Sequence, residues 1–531
     1  MKHEGMSAEI EVIAETAPLA HEAANNPEKP GEACGVFGIY APGQEVAKLA
    51  YYALHEIQNR GQNGAGIMVN GQHGLIGHKG VGLIDAAIPE AVPVLDQRTG
   101  RTVSILDEMS AGSIAVAHTR YVTNGDKTSD SSQPIRRGGL ALATNGHVEL
   151  LEDLEATYGL DAADYVSDSD FITALYSQQT EELGSVELAV LEVSQRLNGA
   201  FSTVLTDGER LIGIRDPWAF RPLSLGALPD GKGYVFASEQ PGAFDVVGAT
   251  FVRDLEQGEV VVIDRHGPRS LMIDRQEERL NCMFEYIYFA RPESAINGVS
   301  VYQARENMGR ALAMDDSVEA DIVVGVRESG TSAAIGYSKA SGLFREEGLF
   351  KNPYAVRSFI EDGSLRSRIL SRKQRPNSDT LAGQRVILVD DSIIKGNTMA
   401  DLVQDIRDAG ATEVHVRSAA PRYMHPCYFG MDTRDASQLI ARSLSDEEIR
   451  DKIGADSVAF NSVERVRQSI IRVARTEAIA RRAGQICHAC ATGDYPVEVP
   501  PCHEVLRTAS SPSELSLERI RPIGSAVLAN V

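Results

Sequence analysis

No run of about 18 uncharged apolar residues occurs anywhere in the 531-residue chain, so no segment is built to cross a bilayer as a hydrophobic helix. Basic residues are also short: 52 Lys and Arg face 74 Asp and Glu, for a formal net charge of -22. That balance argues against a sequence-independent grip on nucleic acid and favours a soluble protein with small-molecule substrates. Any phosphate site must then be built locally, from backbone amides, a metal or a few placed cations. Residues 1–33 hold seven Glu, two Lys and no Arg, with no apolar run long enough for a signal peptide. They lack the arginines of an organelle import sequence too, which points to the cytoplasm. Cysteine is scarce, with six in all, and without an export signal metal binding or catalysis explains them better than disulfides. No internal repeat is present.

What remains is an ordinary globular composition, 43% hydrophobic and 24% charged. The length calls for two large domains or three smaller ones. From residue 34 to about 270, short β-type runs such as CGVFGIY, SIAVAHTRYVT and GGLALATNGHV alternate with amphipathic stretches. EVAKLAYYALHEIQ and DFITALYSQQTEELGSVELAVLEVSQRL carry apolar residues at i, i+3 and i+4. This pattern predicts a layered α+β domain. From about 271 to 440 the order becomes strand, loop, helix, strand, as in DIVVGV-RESGT-SAAIGYSKAS and VILV-DDSIIKGNT-MADLVQDIRDAG. Met399, Leu402, Val403 and Ile406 form one helical face, and Gly410 is placed to cap its end. A doubly wound parallel sheet is the natural architecture. Residues 441–531 read as charged helices, a CxxC segment and a polar tail.

The strand that ends in Asp390 and Asp391 runs through small residues into a helix. Turn amides and a helix N-terminus favour phosphate, and two acids at a strand's carboxyl end accept ribose hydroxyls or bind hydrated Mg²⁺. An acidic turn that merely caps a helix is the ordinary alternative. VILVDDSIIKGNTMADLV resembles the phosphoribosyl-pyrophosphate (PRPP) motif of type I phosphoribosyltransferases. The resemblance implies Asp390 and Asp391 on the ribose and Mg²⁺, with Ser392, Lys395, Gly396, Asn397 and Thr398 around the 5'-phosphate.

Cys34 opens CGVFGIY directly after the acidic leader. A thiol needs activation at neutral pH, and the chain's own α-amino group is one candidate base if the peptide before it is cut. Taken alone, a buried strand cysteine is the commoner case. However, CGVFGIY, NRGQNGAGI, AHTRYVT, TNGHVEL and SDSD resemble, in order, the signatures of N-terminal-nucleophile glutamine amidotransferases. GIRDPWAFRPLSLG, ASEQPGAFDVVG and FVRDLEQGEVVVID continue the match. With the PRPP motif behind them, residues 34 to about 500 resemble the amidophosphoribosyltransferase family.

That resemblance implies a four-layer αββα glutaminase domain, then a type I phosphoribosyltransferase domain. It implies Cys34 as nucleophile after removal of residues 1–33 as a propeptide, with Asn145 and Gly146 as the oxyanion hole. It puts Arg120 on the glutamine α-carboxylate, Asp168 on its α-ammonium, and Arg60 on a loop that closes over glutamine. An internal ammonia channel, inhibition by purine nucleotides and a homotetramer are implied as well.

Of the remaining cysteines, Cys487 and Cys490 form CHAC, while Cys282 and Cys427 fall in segments similar to those of cluster-bearing family members. The resemblance implies a structural [4Fe–4S] cluster on these four, with four-coordinate zinc or inert thiols as the physical alternatives. Cys502 has no assigned role.

Departures from the family pattern are local. Asn59 stands where His is usual, and Thr144 and His147 flank the Asn145-Gly146 pair in place of the usual residues. GVRESGTSAA replaces a proline-containing run that touches pyrophosphate, and Lys395 stands where arginine is commoner. The stretch SFIEDGSLRSRILSRKQRPN takes the place of the lid over PRPP, with Arg357, Arg372, Lys373 and Arg375 as candidate pyrophosphate contacts. The expected reaction is glutamine, PRPP and water to 5-phosphoribosylamine, glutamate and pyrophosphate, the first committed step of purine synthesis. The rivals are an amidotransferase acting on another phosphorylated sugar, and a PRPP-sensing regulator with weak turnover.

Overall fold

The computed structural model describes residues 34–499, apart from 72–73, 90–92, 96–101, 111, 122–130, 150, 352–373, 432 and 434. The leader, Cys502 and the lid residues Arg357, Arg372 and Lys373 lie outside the described residues.

Two antiparallel sheets stack face to face in the first module. The seven-stranded sheet runs in the spatial order 250–254, 224–227, 234–237, 35–40, 114–120, 64–71 and 74–81. The six-stranded sheet runs 267–272, 259–264, 211–214, 198–206, 140–149 and 135–137. Val36, Val116, Ala143, Val204, Leu211, Phe236 and Val261 fill the space between them. Each such side chain removed from water stabilises the stack by about 1.5–3 kcal/mol for the larger aliphatics and Phe. The outer face of the first sheet is covered by the helices Val46–Glu56 and Ala243–Val247. The outer face of the second is covered by Asp168–Leu183 and Val186–Ser194. The result is the αββα sandwich. The long amphipathic stretch at 170–197 thus falls on two helices, divided where Gly184 takes a left-handed conformation.

The second module is a five-stranded, wholly parallel sheet in the order 344–345, 322–325, 385–390, 413–418 and 457–460. Successive residues of its central strand face opposite sides. Val386 and Leu388 pack against Met399, Leu402, Val403 and Ile406 of the helix Asn397–Asp408, while Ile387 and Val389 join the other core. A continuous apolar run buried on both faces is what a central parallel strand requires. The domain edge drawn at residue 440 needs correction. Ser457–Phe460 pairs with His415–Ser418 as the fifth strand, so the sheet continues past it.

The final segment then returns to the start of this module. Asn281–Cys282 pairs in parallel with Ile486–Cys487, setting Cys282 directly beside Cys487.

Candidate active site

Cys34 sits at the mouth of the strand Gly35–Tyr40, next to the strand Ile114–Arg120, with Gly35 opposite Thr119 and Val36 opposite His118. Its Sγ lies 3.4 Å from the Tyr121 amide nitrogen and 3.6 Å from the Tyr121 carbonyl oxygen. Burial pushes the thiol pKa up, against the pull of the Tyr121 amide and of Arg120, Arg221 and Arg60. The group therefore rests as a thiol and needs a base before it can attack.

Asn145 and Gly146 lie on the strand Leu140–Glu149 of the facing sheet. Asn145 is almost wholly buried, and its Nδ2 has no hydrogen-bond partner among the described residues. An unused donor held in a dry site is what a developing oxyanion requires. Gly146 has φ +144°, and a Cβ there would fall 1.9 Å from the Ala200 carbonyl oxygen on the neighbouring strand. Only glycine fits.

His118 binds the two sheets together at this point. It is wholly buried, and burial, reinforced by the Arg120 charge, pulls its pKa down to about 3. The ring is therefore neutral at pH 7. Its Nε2 lies 3.2 Å from the Thr144 carbonyl oxygen, so Nε2–H donates there, and Nδ1 is left without a partner among the described residues. The strand beside Cys34 thereby steadies the residue preceding Asn145.

Arg120 is buried, donates from Nη1 to Ser131 Oγ at 2.5 Å, and has its pKa lowered by desolvation. Such a cation suits a carboxylate ligand. Asp168 opens the helix Asp168–Leu183 and faces His147, with Nδ1 to Oδ2 at 2.9 Å. Burial opposes its charge, yet His147 and the amides of Val148 and Ser169 hold its pKa down to about 2.

Arg60 lies in the loop that follows the helix Val46–Glu56, with its side chain turned inward. Its guanidinium is fully buried: Nη1 meets Glu239 at 2.8 Å, Nη2 meets Glu285 at 2.7 Å, and Nε donates to the Cys34 carbonyl oxygen at 3.2 Å. Arg60 braces the nucleophile's backbone from behind. Asn59 serves the same network by donating Nδ2 to Glu239 at 3.1 Å and to the Phe289 carbonyl at 3.3 Å. Sequence reasoning missed Glu239, Glu285 and Arg221. Arg221 donates to Glu285 at 3.2 Å and to the Phe429 carbonyl at 2.8 Å. Their shared signal, polar residues inside β-rich runs, carries no spacing that could have revealed them.

In the second module the acid pair closes the central strand as expected. Asp390 Oδ1 accepts from Ser329 Oγ at 3.1 Å and from the Asp391 amide at 2.8 Å, and Asp391 Oδ1 accepts from Ser392 Oγ at 2.5 Å. Both acids are buried at the carboxyl end of the sheet, where ligands of open α/β folds bind. Ser392 to Lys395 form the turn, and Gly396, at φ +89°, starts the helix that Asn397 and Thr398 open. Its Cβ would meet Ile440 Cδ1 at 2.6 Å. Ser329 belongs to the loop that follows the strand Ile322–Gly325, the segment where Arg327 replaces the proline-containing run; Arg327 pairs there with Glu347. Arg375 lies on the strand Gln374–Pro376.

Cys282, Cys427, Cys487 and Cys490 all line one small apolar cavity, together with Phe220, Phe284, Phe429, Met431 and Tyr495. Desolvation raises the Cys282 pKa to about 11 and lifts those of Cys487 and Cys490 as well. Among the described residues, no group of three or more His, Cys, Asp or Glu side chains converges to hold a single metal ion. The four cysteines share this one cavity. Thiol donors around an apolar cavity are the donor chemistry of both thiolate-ligated iron–sulfur clusters and four-coordinate zinc.

Comparison with known proteins agrees with this geometry. Residues 118–244 match the model of a glutamine amidotransferase domain. The chain is 40% identical over 489 residues to the amidophosphoribosyltransferase of Mycobacterium leprae, covering 89% of this chain and 83% of that protein. With the Bacillus subtilis amidophosphoribosyltransferase it shares 39% identity over 477 residues, 88% of this chain and 95% of the relative. A solved structure of glutamine PRPP amidotransferase from B. subtilis, complexed with ADP and GMP, superposes with a TM-score of 0.76 at 38% identity, covering 88% of this chain and 98% of that one. A glutaminase sandwich fused to a phosphoribosyltransferase sheet, likeness of this extent and the paired sites together place the chain in the amidophosphoribosyltransferase family.

Proposed function

We propose that the chain converts glutamine, PRPP and water to 5-phosphoribosylamine, glutamate and pyrophosphate, the first committed step of purine synthesis. One observation carries this reading: a single chain holds Cys34 at the head of one sheet, an unused donor, Asn145 Nδ2, in the sheet stacked on it and, at the end of a third, parallel sheet, a buried acid pair just before a helix.

Removal of residues 1–33 would free the Cys34 α-amino group as the base the thiol needs. The amine takes the thiol proton and sulfur attacks the glutamine carboxamide carbon. The oxyanion is met by Asn145 Nδ2 and the Gly146 amide, each donor contributing roughly 3–4 kcal/mol. Arg120 holds the α-carboxylate and Asp168 the α-ammonium. The proton returns to the leaving ammonia, and water then cleaves the thioester to glutamate. Ammonia passes inside the protein to the ribose carbon, because protonation in bulk water would end its nucleophilicity. At the second sheet, Asp390 and Asp391 hold the ribose and Mg²⁺, and Ser392, Lys395, Gly396, Asn397 and Thr398 cradle the 5'-phosphate.

The four cysteines would hold a [4Fe–4S] cluster as a structural staple. The apolar cavity supports this, and iron and sulfide analysis of anaerobic protein distinguishes it from zinc. Purine nucleotides are proposed inhibitors, because the B. subtilis structure is a complex with ADP and GMP. A homotetramer in the cytoplasm completes the proposal. The deciding experiment measures glutamate and pyrophosphate release with glutamine, Mg²⁺ and PRPP together or omitted singly. Matched, PRPP-dependent release supports the reading. Glutamate without pyrophosphate would move it to another acceptor or to a sensor.

A further inference from the structure

His147, one of the residues that depart from the family pattern, stands two positions after Asn145 on the strand Leu140–Glu149. Side chains alternate along a strand, so His147 shares the face of the unused donor, while Val148 packs with the outer helices. Both ring nitrogens of His147 meet carboxylates. Nδ1 lies 2.9 Å from Asp168 Oδ2, and Nε2 lies 3.2 Å from Glu149 Oε1. A neutral imidazole has one N–H and can donate to only one of the two, whereas an imidazolium donates to both. None of the three side chains is more than 16% exposed, so water screens these contacts little.

The charges around the ring come from identifiable elements. The helix Asp168–Leu183 brings Asp168, and the other acid of its first turn, Asp170, is taken by Arg137 at 2.7 and 2.8 Å. Glu149 comes from the ring's own strand. The neighbouring strand Asn198–Thr206 sets Ala200 opposite His147, with Gly199 and Asn198 beyond, none of which titrates. The segment over Gly146 presents Gly430, also uncharged. The facing sheet contributes Cys34, Arg120 and the neutral His118. Asp168 also accepts from the amides of Val148 at 3.2 Å and Ser169 at 2.8 Å, and it stays ionised despite burial, with a pKa of about 2. In this arrangement the imidazolium stands on the carboxylate assigned above to the glutamine α-ammonium.

We infer that His147 is a specificity-determining residue of the glutamine site, an internal cation that the substrate's α-ammonium must replace on Asp168. The inference rests on the placement of that ammonium in the reading above. Two cations on one carboxylate repel strongly where screening is weak. As glutamine enters, His147 loses its Nδ1 proton to solvent and keeps Nε2–H on Glu149. Nδ1 turns from donor to acceptor, so the ammonium meets two acceptors, Asp168 Oδ2 and His147 Nδ1. Proton and ammonium therefore compete, and glutamine binds more weakly as pH falls and the imidazole charges. An amide without an α-ammonium leaves the imidazolium in place and gains nothing from its loss.

The test uses the purified whole enzyme with saturating PRPP and Mg²⁺, and follows glutamate release against glutamine from pH 6 to 8.5. Two ligands that oppose each other change one another's affinity by the same factor, roughly 5- to 150-fold. KM for glutamine should fall at least about 5-fold from pH 6 to 8.5 in the wild type and less than about 2-fold in His147→Asn. Titration of the Cys34 α-amine falls on kcat in both proteins, so the two effects separate. Inhibition by glutaramate, which is glutamine without its α-amine, should not strengthen with pH. Glu149→Gln removes a charge that favours the imidazolium, so its KM transition should move to lower pH. Ammonia-dependent pyrophosphate release shows that each variant is folded, and Glu149→Gln decides the matter if His147→Asn is not. A folded His147→Asn that keeps the wild-type KM slope overturns the inference alone, as does an unmoved transition in Glu149→Gln. A wild-type KM in Asp168→Asn at pH 8.5 would instead overturn the placement of the ammonium beneath it.

Discussion

Gly430 of the phosphoribosyltransferase half lies directly on Gly146 of the glutaminase half: a Cβ built on Gly430 would come within 3.1 Å of the Gly146 Cα and 3.2 Å of Arg221 Nη2. The strand Leu140–Glu149 is thus covered by the segment that also carries Cys427, whose Sγ accepts from the Phe429 amide at 3.4 Å. No side chain separates the two halves here. Substitutions on either side of this contact should therefore be read in both assays.

Cys34→Ala should abolish glutamine-dependent product formation and leave the reaction with free ammonia at high pH. Pyrophosphate release with each nitrogen source measures this. Full glutamine use by the variant would remove Cys34 as nucleophile.

Asn145→Ala removes the unused donor. We expect kcat for glutamate release to drop by about 10²- to 10³-fold with a small change in KM, as for loss of one oxyanion donor. Steady-state kinetics with glutamine is the check, and a pure KM effect would place Asn145 on the ground-state substrate instead.

His118 makes stability pH-dependent in a defined window. Its folded pKa is depressed from 6.5 to about 3, so the unfolded chain takes up a proton that the folded protein refuses. The stability it contributes is full above about pH 6.5 and is lost as pH falls toward 3, by at most about 1.4 kcal/mol per pH unit. His118→Gln should flatten that part of the curve in urea melts recorded from pH 7.5 to 4.5. An unchanged slope would mean the ring is protonated in the fold.

Asp390→Asn and Asp391→Asn should each abolish PRPP-dependent pyrophosphate release. Titration with PRPP and Mg²⁺ by calorimetry should show weakened binding in both. Wild-type affinity would confine the pair to capping the helix.

Cys490→Ser, purified without oxygen, should carry less iron and sulfide than the wild type and unfold at lower temperature. Equal zinc in both proteins and no iron in either would favour the zinc alternative.

How much of this was legible in the sequence depends on distance along the chain. The acid pair, its turn and the helical face of Met399, Leu402, Val403 and Ile406 occupy fewer than 20 consecutive residues, about the length a periodicity argument can span, and all four apolar positions are buried as predicted. Arg60 could not be placed this way, because its partners Glu239 and Glu285 are 179 and 225 residues away. An arginine in a polar loop sequence looks exposed until the acids that enclose it are known. The edge strand Ser457–Phe460 escaped notice for a different reason: four half-exposed residues carry too little alternation to stand out from the flanking helices. Nor does any sequence rule foretell that Glu285 falls on a π-helical turn.

The parallel pairing of Asn281–Cys282 with Ile486–Cys487 has a further meaning during synthesis on the ribosome. Cys282 emerges early and waits unpaired while some two hundred residues follow, and the cavity has no fourth wall until Cys490 is out. A chain halted before that point lacks Cys490 and cannot complete the four-thiol pocket. The pocket therefore closes only after the last of its walls has been made, some two hundred residues after the first.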